Sequence, residues 1–230
     1  MKRKLLAGLL ASASVLGVVV LGGVTSYAAD TEVGIGFGTH TDPGETGLLK
    51  LRWVPTELDF GTSNMVNKTA NVEFSEVDTT APATGKKYAV VEDSRPHGSS
   101  DPEVEWKLTA GVSDLVSTTS ATTKLTGAVL KFDTDMHDYS GTLDPGMASG
   151  GIAAAGSHSA TMATSYTINA NSTATAITVM EDGDVSNNVT SFEGNTAMEM
   201  KNIKLSVPAN IAQKGHQYKG KMTWTLSNSI

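Results

Sequence analysis

Apolar residues recur at every second position in segment after segment of this chain, and that spacing limits its fold more than any other feature. Leu49, Leu51 and Trp53 alternate with Lys50 and Arg52, and Val104, Trp106, Leu108 and Ala110 alternate with Glu105, Lys107 and Thr109. Ala128, Leu130 and Phe132 repeat the pattern, as do Ile203, Leu205 and Val207, and finally Tyr218, Met222, Trp224 and Leu226. Successive strand residues point to opposite faces, so a period of two buries one face and wets the other. No window keeps helical spacing over three turns. Gly, Pro, Asn and Asp clusters punctuate the runs, and 51 Ser and Thr residues among 230 favour strands and turns over helices. The spacing predicts an all-β fold: a single antiparallel β-sandwich or barrel-like domain.

Composition removes whole classes of function. The chain has no cysteine, which excludes disulfide scaffolds, thiol catalysis and cysteine-ligated metal sites. A formal net charge of −7 argues against nucleic acid as a partner, because neutralising phosphates needs a basic surface. No G-x-S-x-G elbow and no nucleotide-binding glycine loop occurs, so neither a catalytic residue nor a cofactor is expected.

The first 28 residues have the organisation of a secretory signal peptide. Met1-Lys2-Arg3-Lys4 is a cationic start, Leu5 to Val24 is uncharged, and Ser26-Tyr27-Ala28 offers small residues for cleavage after Ala28. Processing there leaves a mature chain of net charge −10 (−7 less the three N-terminal cations) and no membrane span. Residues 29–47, with five glycines and one proline, read as a flexible leader, and 48–230 as one β domain. Within it, residues 145–176 form a long Thr/Ser/Gly/Ala-rich excursion with one expected strand near Tyr166–Ile168.

Two segments share a pattern: Trp106-Lys107-Leu108 and Trp224-Thr225-Leu226. Each Trp and its Leu share one strand face, so they either fill the core or offer an aromatic surface to a sugar ring; the flanking alternation favours the core.

Paired W-x-L motifs resemble the WxL domain of Gram-positive cell-surface proteins, and three further segments carry the likeness. LRWVPTELDFGTSNM at 51–65 is similar to the opening block of that domain, KLTGAVLKF at 124–132 to its middle block, and VPANIAQKGHQYKGKMTWTL at 207–226 to its closing block. Trp53 stands where an aliphatic residue is expected, and 145–176 has no clear counterpart. The resemblance implies a non-enzymatic surface protein held non-covalently on the wall, with peptidoglycan as ligand. It also implies other WxL proteins and a membrane-anchored companion as partners. A structural subunit whose main ligand is that companion, or an adhesin for host ligands, is the alternative. No LPxTG-type sorting motif occurs in the sequence, which is consistent with non-covalent retention.

Charge is uneven along the chain. Residues 200–230 hold Lys201, Lys204, Lys214, Lys219 and Lys221 and no acid, a local +5 that makes these lysines the candidate contacts to anionic wall groups. As a plainer alternative, lysines on a strand face blunt edge pairing.

Metal sites are not expected. Asp133, Asp135, His137 and Asp138 lack the glycine and glutamate that an EF-hand loop requires, and Glu181, Asp182 and Asp184 around Gly183 form an ordinary acidic turn. The five histidines are scattered, without the spacing of a zinc site.

Overall fold

The structure is a computed structural model that describes the backbone of residues 26–33 and residues 48–77, 86–95, 105–146, 150–156, 160–183 and 194–227. Among the described residues there are thirteen strands and no helix, and therefore no helix long and apolar enough to cross a membrane. The strands form two sheets that face each other across one core, as the two-residue period predicts.

The first sheet runs in the order β11 (Ile177–Asp182), β6 (Trp106–Val112), β13 (Tyr218–Ser227), β1 (Ser26–Val33) and β3 (Glu57–Leu58), with β7 (Val116–Ser117) beside the start of β13. The second runs β10 (Ser165–Asn169), β8 (Val129–Tyr139), β12 (Gly194–Val207), β5 (Lys87–Asp93) and β2 (Leu49–Trp53). In that sheet β4 (Val72–Ser75) adds to β12, and β9 (Ile152–Ala154) adds to β8. Among the described residues pairing is antiparallel apart from the two-residue contact between β1 and β3 and an isolated parallel bridge between Val112 and Ala170. The excursion at 145–176 thus supplies two strands to the second sheet, and Ile168 and Ala170 reach the core. β1 takes its first three residues from the expected signal peptide and the next five from the expected leader. The remaining leader residues, 34–47, lie outside the described ones.

The two W-x-L segments lie side by side. Leu108 sits opposite Leu226, Ala110 opposite Trp224 and Val112 opposite Met222, with Trp106 one row beyond. All of these side chains are buried on the inner face, against Leu51, Val91, Leu130, Phe132 and Met198 from the other sheet. Each large side chain buried here stabilises by about 1.5–3 kcal/mol.

Local irregularities decide which residues join that core. On β12, Met198 and Met200 point inward, then a bulge between Lys201 and Lys204 shifts the parity so that Ile203, Leu205 and Val207 also face inward. Asn202 occupies the bulge at φ 49°, a conformation that Asn tolerates better than most residues. On β2 a second irregularity lies between Leu51 and Trp53. It turns Trp53 to the opposite side, where it packs with Tyr88, Val90, Tyr139 and Ala197 in a small second core. Trp53 meets Tyr139 edge-on at 5.5 Å, and the Arg52 guanidinium lies 4.5 Å from the Trp53 ring. An aromatic at position 53 fits because it no longer faces between the sheets.

Candidate functional site

A broad concavity opens at the end of the sandwich where the chain crosses from one sheet to the other. Residues 208–217 leave β12 and enter β13, and with residues 59–68 they wall a cleft of about 1040 Å³. Its floor is apolar: Phe60, Phe74, Leu115, Leu125, Leu205 and Val207. Its rim is polar, with Asn64, Asn210, Gln213, Gln217, His216 and Tyr218 among the lining residues.

Turn chemistry holds both walls. In the first, the Gly61 N–H donates to Asp59 Oδ1 at 2.7 Å, and Asn64 Nδ2 donates to the Phe60 carbonyl at 2.6 Å. Gly61 lies at φ 80°, where a side chain is strained, so the Asp-Phe-Gly sequence fits this turn. In the second, Asn210 and Gly215 take positive φ, and the Gln213 N–H donates to the Tyr218 hydroxyl at 3.0 Å. The His216 ring stacks on Tyr218 at 6.2 Å, and its Nδ1 lies 2.8 Å from Ser117 Oγ. The walls are tied together by the Asn210 N–H, which donates to the Asn67 carbonyl at 2.9 Å.

Lys68, Lys214 and Lys219 also line the cleft and are exposed. Among the described residues none of the three has an acidic partner within 4.0 Å. Asp59 is the one carboxylate in the described lining, and it is engaged in its own turn. A cleft with three lysines and one acid, in a chain of net charge −7, is a local positive site.

The five C-terminal lysines are not brought together. Lys214 and Lys219 reach the cleft, and Lys221 is exposed two residues further along β13. Lys201 and Lys204 lie on the outer side of the second sheet, where they pair with acids. Lys201 contacts Asp135 and holds its carboxyl below the usual range through that hydrogen bond. Lys204 lies 3.5 Å from Glu73, whose carboxyl is held low chiefly by Lys131 at 2.7 Å.

Asp135, His137 and Glu199 stand close enough for their donor atoms to fall within 4.8 Å of one another. His137 Nε2 is 2.9 Å from Glu199 Oε2, and Lys86 Nζ is 3.0 Å from Glu199 Oε1. With Lys201 on Asp135, each carboxylate already has a cation, so the group reads as an ion-pair network across β8, β12 and Lys86, the residue before β5. Asp133 and Asp138 lie on the same extended strand, β8. Asp182 is buried on β11 opposite Trp106, and Asp184 lies outside the described residues.

The sequence reading missed the cleft itself. Lys68 and Phe74 lie in no segment the sequence singles out, and they meet Phe60, Leu125 and Tyr218 only because the chain brings both sheets together at this end. A signal was nonetheless present. The segments at 51–65, 124–132 and 207–226 all contribute to the lining, through Asp59 to Met65, Leu125 and Val207 to Lys219 respectively.

The chain is thus a β-sandwich with the paired W-x-L strands side by side in its first sheet. Over residues 36–229 the chain matches the family described as WxL domain, surface cell wall-binding, and it belongs to that family. It is a surface protein that binds the cell wall. No curated protein and no solved structure matches the chain.

Proposed function

We propose that the chain is exported, cleaved after Ala28, and attached non-covalently to peptidoglycan through the cleft at the end of the sandwich, without catalysing a reaction. The observation that carries this reading is convergence: all three segments that resemble the family's blocks meet at one cationic cleft. The Trp and Leu residues of the W-x-L motifs, by contrast, are buried.

The lining suits a wall fragment. An apolar floor with the Tyr218 ring accepts the C–H faces of sugars, and side-chain amides from Asn64, Asn210, Gln213 and Gln217 match N-acetyl groups and peptide units. Lys68, Lys214 and Lys219 meet the carboxylates of stem peptides. Glycoside hydrolysis generally needs two carboxyl groups flanking the bond. The single, turn-engaged Asp59 supports binding over cleavage.

The test is co-sedimentation of the mature protein with purified peptidoglycan, with and without attached teichoic acid, alongside a zymogram. Saturable binding to bare peptidoglycan with no clearing is expected. Binding that requires teichoic acid would move the ligand to the phosphate polymer, and clearing lost on mutation of one carboxylate would overturn the non-enzymatic reading.

A further inference from the structure

The N-terminal strand is held in the first sheet between β13 and β3. Among the described residues β1 pairs along its whole length with β13, from Ser26 opposite Ser227 to Val33 opposite Gly220, pairs on its other edge with two residues of β3, and also comes close to β2. Fifteen residues, 34–48, separate it from β2 in the other sheet, and five of them are glycine. A connection of that length spans at most about 50–54 Å at 3.3–3.6 Å per residue. A terminal strand on a long connection meets the geometric requirement for exchange between identical chains.

We infer that β1 exchanges between copies of this chain on the cell surface, the β13 edge of one copy accepting β1 of its neighbour. The acceptor register is the same in every copy, so exchange loses no pair and needs no new chemistry. Local concentration then decides between the two arrangements. Its own tether gives the strand an effective concentration on the order of millimolar. Dilute protein keeps β1 on its own sheet, whereas copies crowded on a wall compete for it. Cleavage after Ala28 removes the pairs to Thr225, Leu226 and Ser227 and leaves five of the eight. It removes them equally from both arrangements, so it leaves the balance unchanged and lowers the barrier to release.

The native chain has no cysteine, so a disulfide trap has no background. Asp30 and Thr223 are register partners. Asp30→Cys protein is mixed with Thr223→Cys protein, at micromolar concentration in solution and at high density on purified walls, then oxidised and analysed by intact mass. The expected result is mixed dimers on walls, few in dilute solution, and loss of them when the donor also carries Thr31→Pro and Glu32→Pro. One of two successive strand amides faces β13, so that double proline change breaks the pairing. The Asp30→Cys/Thr223→Cys double variant closes within one chain when dilute, which shows that β1 is in place. Closure within the chain with no mixed dimers on walls would overturn the inference. So would mixed dimers that survive the proline changes, or failure of the double variant to close.

Discussion

One strand, β13, joins two regions of opposite character. Its first residues, Tyr218 and Lys219, border an open, cationic cleft, and its later residues, Met222, Trp224 and Leu226, are sealed between the sheets. The motif that marks the family lies in the sealed part, where no wall polymer reaches its side chains. What faces outward comes instead from the turns at 59–68 and 208–217. The paired W-x-L motifs therefore act as determinants of the fold, and the accessible chemistry is carried by residues whose positions the sandwich fixes.

The widest separation between these regions should come from the tryptophans. Trp106→Ala and Trp224→Ala each leave a large cavity, at a cost of roughly 3–5 kcal/mol against a typical total of about 5–15. Thermal melts should fall sharply, with wall binding lost only as the fold is lost; a variant that keeps its melting temperature yet loses binding would place that indole at the ligand. Replacement by Phe sharpens the test. Trp106 Nε1 is buried with no hydrogen-bond partner among the described residues, whereas Trp224 makes further interactions. Trp106→Phe deletes an unsatisfied donor and should destabilise less than Trp224→Phe.

Next in size is the turn that shapes the cleft wall. A Cβ added at Gly61 would meet nothing closer than 3.8 Å, so the cost of Gly61→Ala lies in its φ of 80°. A positive φ costs a non-glycine residue about 1–2 kcal/mol. Stability should drop by that amount in urea unfolding, with weaker wall binding at temperatures where the protein remains folded.

Smaller again is the effect of acid. The Lys201 hydrogen bond depresses the Asp135 carboxyl. Burial pushes Glu92 up, but Arg52 and Lys50 outweigh it and hold that carboxyl low as well. A carboxyl with a depressed folded-state value stabilises fully above its ordinary value and loses that stabilisation as pH falls through the folded one. Melting temperature should therefore decline below about pH 4. Lys201→Gln should flatten part of that decline.

The sequence made some of this legible and hid the rest for physical reasons. Alternation at 104–110, 128–132, 203–207 and 218–226 revealed the strands and their buried faces, because a half-buried strand writes its geometry into every second residue. Trp53 did not reveal that it faces away from the main core, since a bulge flips a side chain without changing its type. The strand expected near Tyr166–Ile168 is β10, whereas residues 152–154 look bland because β9 is a short strand at the margin of the second sheet with two of its three residues exposed. The cleft was least visible. Its residues are joined by loop closure across two sheets, and nothing in local spacing reports that Lys68 and Lys219 share a lining. Nor could the +5 stretch show that Lys201 and Lys204 turn towards acids on other strands.

That last division gives the finest test of the comparison, because it separates lysines by surroundings alone. Lys214→Gln with Lys219→Gln should change stability by less than about 0.5 kcal/mol, as exposed substitutions away from special features do. Binding to purified walls should nevertheless weaken, and its dependence on salt should flatten, since exposed charge attraction is screened beyond about 8–10 Å at physiological ionic strength. Lys201→Gln with Lys204→Gln removes the same formal charge from the outer side of the second sheet and should leave wall binding and its salt slope unchanged. If the two pairs weaken binding equally, net charge alone governs attachment and the cleft has no special part in it. If neither does, the contact is made by the neutral rim and floor, and Tyr218→Ala becomes the informative variant.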